Sequence, residues 1–322
     1  MSQREFDLIQ RYFRQAVSPA ADLPVGIGDD GAVVLAGNTN LAWVMDTINE
    51  DVHFPHDAPG AAVGHRALAV NLSDMVAMGA QPRWMLLSLC LPEVDEAWLA
   101  DFSDGLLSLA RDSGVTLAGG DTTRGPLSVA VTLLGPLHGQ AVQRSGARPG
   151  DRLLVSGTLG DARAGLDIAL GDGHAADAVE SELLKRYLYP QARLALSPLL
   201  ARHARAAIDL SDGLVGDLTH LLSASGVGAT IHSQRLPRSR ALMAHAEEES
   251  DALALSGGDD YEILCAVAPE AVETLVREAA AEGIMLSDIG EITQGPELTV
   301  LDRDGQPVPL EAGFSHFGDD DA

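Results

Sequence analysis

A two-domain α/β (α+β) architecture is what this sequence predicts, and three observations predict it. The 322 residues exceed the size at which a single hydrophobic core usually divides. Segments rich in β-branched and aromatic residues alternate with segments whose large apolar residues recur at helical spacing. Residues 138–151, HGQAVQRSGARPGD, hold few large apolar side chains and much Gly, Arg and Pro. The division is expected there, with an N-terminal domain over 1–140 and a C-terminal domain over 148–322.

The elements follow in order. Residues 5–16 have the spacing of a short amphipathic helix, while GAVVLAG and NLAWVMDT, bounded by turn signals, read as strands. A helix is expected over about 58–70, ahead of NLSDMVAMG. RWMLLSLCL is a strand, and VDEAWLADFSDGLLSLARDSG places Trp98, Phe102, Leu106 and Leu109 on one helical face. VTLAGGDTT and LSVAVTLLG are strands again. Beyond the junction come strand RLLVSG, helix DARAGLDIAL, a helical stretch near 178–188, the composite AAIDLSDGLVGDLTHLL, strand GATIHS and helices around 239–248 and 269–282. LTVLDRDGQPVPL closes the chain as a hairpin. Its Asp302-Arg303-Asp304-Gly305 resembles part of a calcium loop, but the later ligands are missing and a β-turn is the better reading.

Composition narrows the function. At 46% apolar and 21% charged the chain has material for two cores, and its formal charge of −26 leaves no basic face for nucleic acid or an anionic membrane. The start, MSQREFDLIQRYF, lacks a signal-like apolar core, and no apolar stretch reaches membrane-spanning length. Cys90 and Cys265 lie inside apolar stretches, as buried free thiols do. A cytoplasmic protein is the expectation. The single lysine, Lys185, lies in no Gly-rich loop, so neither a Walker A loop nor a protein-kinase catalytic lysine exists here.

The informative carboxylates are the patterned ones. GIGDDGAVV sets Asp29 and Asp30 between glycines, where a turn and a metal site are both possible. VNLSD at 70–74 and IDLSD at 208–212 repeat one arrangement, a β-like approach followed by Ser-Asp and a helical pattern. Ser73 and Ser211 are expected N-caps there, with Asp74 and Asp212 at helix starts. Asp46 in MDTINEDVHF and Asp121 in AGGDTTRG follow strands, and Asp259-Asp260 in SGGDDYEI precede one. Carboxylates lodged at strand ends and helix starts suit several hard cations, since Mg²⁺ prefers oxygen ligands and is commonly shared with phosphates. Bridging cations would let an acidic pocket hold a polyphosphate.

In order, GIGDDGAVV, MDTINEDVHF, AVNLSDMVAMGAQP, AGGDTTRG, RSGARPGD, IDLSDGL and LSGGDDYE resemble the bacterial thiamine-monophosphate kinase family across nearly the whole chain. The wider superfamily includes aminoimidazole ribonucleotide synthetase, selenophosphate synthetase and a hydrogenase maturation protein. The resemblance implies two α/β domains, a homodimer formed through the N-terminal one, and ATP at the domain junction near the dimer interface. It implies Mg²⁺ ligands at Asp30, Asp46, Asp74, Asp121, Asp209 and Asp212, and ATP or metal contacts at Gly120, Asp121, Arg144 and Ser211. It places His53, Glu262 and Phe314 near the thiamine moiety. Asp30 is assigned to the metal shell and Asp29 to the turn. One departure stands out: the family usually has a hydroxyl residue before the aspartate of MDT, and here it is Met45.

The implied reaction is direct phosphoryl transfer from ATP to thiamine monophosphate, giving thiamine diphosphate and ADP. No general base is sought, because the acceptor phosphate is already an anion. The alternatives are a sibling activity of the superfamily and a nucleotide- or cation-binding module without turnover.

Overall fold

In the computed structural model, which describes residues 9–14, 20–171 and 173–309, two sheets divide the chain between Pro136 and Arg152. The first contains β1 (Ala32–Ala36), β2 (Thr39–Asn49), β3 (Trp84–Leu91), β4 (Thr116–Arg124) and β5 (Ser128–Pro136), in the order β1-β2-β5-β3-β4. Only β3 and β4 run parallel. Along β2, Ala42, Val44 and Ile48 are buried while Trp43 and Met45 between them are exposed, the period-2 pattern of a sheet covered on one face.

Helix α1 (Gly60–Ala77) provides the cover, packing on β2 and β5, and α2 (Glu96–Asp112) lies along α1. Asp95 caps α2 by accepting the N–H groups of Ala97 and Trp98. The two helices approach backbone to backbone. A Cβ on Gly64 would stand 2.1 Å from the Phe102 carbonyl oxygen, and one on Gly105 would stand 2.0 Å from that of Ala61. G64A should therefore destabilise the protein by about 1–3 kcal/mol through overpacking, read as a lower urea midpoint. An unchanged midpoint would show that the helices can separate freely.

The second sheet contains β6 (Arg152–Ser156), β7 (Ala204–Asp209), β8 (Gly228–His232), β9 (Ile263–Val267), β10 (Leu286–Thr293) and β11 (Leu298–Leu301). Its order is β11-β8-β10-β6-β9-β7, with only β11 and β8 parallel. Around it run α3 (Asp161–Leu170), α4 (Ala178–Leu188), α5 (Ser197–His203), α6 (Leu214–Ser225), α7 (Arg240–His245), α8 (Ser250–Ser256) and α9 (Pro269–Ala281). A core cluster joins the halves, packing Val76 and Ala77 at the end of α1 against Leu196 and Leu200 and against Leu154 and Ile263 of the second sheet. Thus α1 serves both cores.

Three expectations change. VNLSD is not the β-like approach to a helix start: α1 runs through it without a break, so Ser73 is no N-cap and Asp74 lies in the helix interior. Its polar groups are satisfied within the fold instead. Asn71 Nδ2 donates to the Ala67 carbonyl at 3.1 Å, and Asn71 Oδ1 accepts the Asp46 N–H at 3.0 Å. In IDLSD, β7 ends at Asp209 and the N-cap position of α6 is Gly213, with φ 102° and no side-chain cap, so Ser211 does not cap either. Of the expected helix over 5–16, the described part includes a π-helical turn, Gln10–Arg14. The closing segment does turn as expected, with the Gly305 N–H bonding the Asp302 carbonyl and the Asp302 side chain accepting from Asp304 and Gln306. Cys90 and Cys265 are both free, and burial pushes the Cys265 thiol up to about 12.

Candidate active site

A cleft of about 720 Å³ lies where the two halves meet. The loop before β1, the middle of β2, α1 and Arg144 of the junction supply one side. Asp209 at the end of β7 with Ser211 and Asp212 after it, residues 256–259 and Tyr261 at and beyond the end of α8, and Arg163 and Leu166 of α3 supply the other. Residues 26–31 spell Gly-x-Gly-x-x-Gly, yet they run into a strand rather than opening a helix, so no dinucleotide-binding helix terminus forms there.

At the floor, Asp30, Asp74 and Asp209 each offer a carboxylate oxygen, and these atoms lie within 4.8 Å of one another. They come from a loop, a helix interior and a strand end more than 30 residues apart in sequence by the order of the chain. Burial raises the Asp74 carboxyl well above the ordinary range, and the charges of Asp46, Asp209 and Asp30 push it the same way. Burial likewise raises Asp209, helped by Asp30 and Asp46 and opposed by a Ser73 hydrogen bond and by Arg144. Asp46 therefore belongs to the same electrostatic cluster.

The cluster is held from several sides. Arg144 donates from Nη2 to Asp30 Oδ1 at 2.7 Å and from Nε at 3.2 Å, while its backbone N–H bonds Asp29 Oδ1 at 3.0 Å. Asp29 thus ties the glycine loop to the junction; burial raises its carboxyl to about 6. The other Asp30 oxygen, Oδ2, is buried and has no hydrogen-bond partner among the described residues. A buried, unsatisfied acceptor on one of three carboxylates that converge within 4.8 Å is what an oxygen-coordinated hard cation would satisfy, so these residues fit Mg²⁺. Asp30, Asp74 and Asp209 would hold it, with Asp46 alongside.

The remaining expected residues scatter in an informative way. Ser211, Asp212 and His53 line the cleft. The His53 ring Nδ1 accepts the Asn49 N–H at 3.0 Å, and the Tyr187 hydroxyl donates to the His53 carbonyl at 3.1 Å. Asp212 donates its N–H to Asp217 Oδ2 at 3.0 Å; burial, with Asp212 and Asp209, raises Asp217 well above the usual range. Gly120 and Asp121 lie on the exposed edge strand β4, outside the cleft lining.

Glu262 is fully buried behind the cleft, not in it. It accepts from Ser156 Oγ at 2.6 Å, from Arg186 at 3.0 Å and from Arg193 Nε at 2.7 Å. Burial would raise its carboxyl, but the Arg193 hydrogen bond and the two guanidinium charges bring it below the ordinary value. Phe314 lies outside the described residues.

Sequence reasoning passed over Asn71, which anchors β2 to α1, and Arg163, which lines the cleft and pairs with Asp167 one turn on, at 2.9 Å. An Asn in an apolar helical run was the available signal for the first. Nothing in the sequence marks the second.

The family described as AIR synthase related protein, N-terminal domain, matches residues 28–137, and its C-terminal counterpart matches 148–303. Thiamine-monophosphate kinase of Escherichia coli (strain K12) is 45% identical over 320 residues, covering 97% of this chain and 98% of that one. The chain belongs to the thiamine-monophosphate kinase family. The Haemophilus influenzae kinase is 39% identical over 98% of this chain and 99% of its own. A crystal structure of the Stenotrophomonas maltophilia kinase superposes with TM-score 0.80 at 40% identity, covering 96% of this chain and 99% of the other. AaThiL complexed with AMPPCP and TMP superposes with TM-score 0.86 at 34% identity, covering 97% and 96%. The HypE-HypF complex structure, at 19% identity and TM-score 0.76, shares the fold. Against the thiamine-monophosphate kinase pattern, Met45 is 62% exposed on the open face of β2, beside buried Val44.

Proposed function

We propose that this cleft transfers the terminal phosphoryl group of ATP directly to the phosphate of thiamine monophosphate, with Mg²⁺ held by Asp30, Asp74 and Asp209 and assisted by Asp46 and Asp212. The chain is an ATP-dependent kinase of thiamine monophosphate by its family, whose structurally similar member was solved with AMPPCP and TMP. The observations that carry the metal reading are the convergence of the Asp30, Asp74 and Asp209 carboxylates within 4.8 Å and the buried Asp30 Oδ2, which has no hydrogen-bond partner among the described residues. Held by these carboxylates, Mg²⁺ would supply positive charge that offsets the repulsion between two anionic substrates.

The chain's own residues position rather than abstract protons. Arg144 neutralises one Asp30 oxygen and, with Ser211, borders the ATP side, while His53 borders the thiamine side. Glu262 acts through Arg186 and Arg193 instead of touching substrate. Domains over 1–140 and 148–322, with the cleft between them, fit this division of labour. Free thiols and the absence, among the described residues, of a helix long and apolar enough to cross a membrane support a cytoplasmic setting.

A homodimer completes the proposal. On the open face of the first sheet, cross-strand rows bring together Trp43, Leu134 and Trp84, then Met45, Thr132 and Leu86, then Thr47, Ala130, Ser88 and Asp121. Trp43, Met45, Trp84 and Leu86 are 43–62% exposed, an apolar patch that a second copy would cover. Trp43, Met45 and Thr47 also line the cleft, so that copy would carry its Asp121 towards this cleft's mouth.

The decisive test is incubation of pure protein with Mg²⁺-ATP and thiamine monophosphate, followed by chromatography for thiamine diphosphate. ADP formation indifferent to thiamine monophosphate would replace this reading with a sibling activity. Light scattering that finds a monomer would remove the dimer.

A further inference from the structure

We propose that Arg66 is a positioning residue: by clamping Asp259 across the junction it sets the distance between Asp74 of the N-terminal half and Asp209 of the C-terminal half. The proposal rests on the metal reading above. Arg66 is 2% exposed, nearly two turns into α1. One Nη donates to the Tyr187 carbonyl at 2.9 Å, and the other pairs with the Asp259 carboxylate. Its guanidinium lies over the Tyr187 ring at 4.8 Å and the Tyr261 ring at 5.5 Å. Despite burial, Asp259 and the two tyrosines hold it firmly charged.

Contacts beyond Arg66 close a loop through the metal site. Asp259 and Tyr261 both have left-handed backbones, φ 62° and 49°, which non-glycine residues adopt only where the surroundings hold them. The Asp259 N–H donates to the Ser211 carbonyl and the Tyr261 N–H to the Leu210 carbonyl, each at 2.8 Å. Both acceptors directly follow Asp209. From the other side, the Ser73 hydroxyl donates to the Tyr261 carbonyl at 3.5 Å, and Asp74 follows Ser73 on α1. Arg66 stands about 12 Å back along the same helix at 1.5 Å per residue. Helix, clamp, loop and strand end thus form one continuous run of contacts that carries Asp74 on one side and Asp209 on the other. Opening it at Arg66 lets the strained loop relax and carries Asp209 away from Asp74.

The arginine also keeps a cost that simple packing would have removed. Its Nε is buried and has no hydrogen-bond partner among the described residues, so a shorter or apolar side chain would spare that group, and what the arginine adds is the bridge between halves.

The test is an EPR titration of the full chain with Mn²⁺, with thermal melts alongside, on wild type, R66M and R66M/D259N. R66M should weaken Mn²⁺ binding about tenfold or more, the loss typical when residues supporting metal ligands are removed. R66M/D259N removes the unpaired carboxylate that R66M leaves, so its Tm should recover while Mn²⁺ binding stays weak. Turnover should fall in kcat more than in KM for ATP. Wild-type Mn²⁺ affinity in folded R66M, or its return with Tm in the double variant, would reduce Arg66 to a structural residue. Wild-type protein that takes up no Mn²⁺ would overturn the metal reading itself, a failure visible without any substitution.

Discussion

D209N lowers kcat by about 10³-fold or more, and D30N does the same, while both proteins stay folded; this loss corresponds to the several kcal/mol of charge stabilisation that a carboxylate-held cation supplies to phosphoryl transfer. The reason lies in the cluster's geometry. Its carboxylate oxygens converge within 4.8 Å, so each removal takes one arm from a shared coordination shell. Folding survives because the native apo cluster is repulsive: burial and three neighbouring carboxylates raise Asp74, and burial with Asp30 and Asp46 raises Asp209. An amide at 209 relieves that repulsion, so the metal-free Tm of D209N should rise. Steady-state turnover and a melt in EDTA measure the two effects. Turnover within tenfold of wild type in either variant would remove that residue from the metal shell.

Metal-free protein loses stability as pH rises from about 4 to 8, by roughly 5 °C or more in Tm, and Mg²⁺ restores most of the loss. The sign follows from the direction of the shifts. In the unfolded chain these carboxyls titrate near their ordinary values, whereas in the fold Asp74, Asp209 and Asp217 keep their protons to higher pH, Asp29 to about 6 and Asp260 to about 8. Their contribution is complete below about pH 4 and disappears as pH rises through each folded value. Glu262 has the opposite sign, since its folded value is depressed and its contribution is lost as pH falls through it. A stability maximum in mild acid results. Cation binding favours the ionised cluster, so the Mg²⁺ increment in Tm should grow from pH 5 to pH 8. A metal-free Tm that is flat over this range, or an Mg²⁺ increment independent of pH, would contradict the coupled cluster.

Strand positions were legible because alternation survives any tertiary context: NLAWVMDT puts Ala42 and Val44 on one face and Trp43 and Met45 on the other, as the fold does. Helix α2 was legible for the corresponding reason, with Trp98, Phe102 and Leu106 one turn apart. VNLSD was misread because Asn, Ser and Asp are turn and cap residues by local preference. In α1 the Asn71 side chain bonds the Ala67 carbonyl and the Asp46 backbone and the Ser73 hydroxyl bonds the Tyr261 carbonyl, and the last two contacts are invisible to any local pattern. β10, α5 and α8 were not foreseen. In β10 the polar LSDIGEIT has a register shift between Asp288 and Gly290 that interrupts its alternation.

What the sequence determined by itself was the family, the mixed α and β class, and the set of aspartates from which a site would be drawn. Motif order needs no coordinates, and periodicity encodes which face is covered. Only the tertiary structure decided which of those aspartates meet. Asp30, Asp74 and Asp209 converge because α1 packs into both cores and brings its interior against a loop and a strand end. Asp121 stays on an exposed edge, and Glu262 is withdrawn behind the cleft by two arginines. Two carboxylates with similar local sequence can face a cleft or be neutralised behind it, since that choice depends on which cations the fold places beside them.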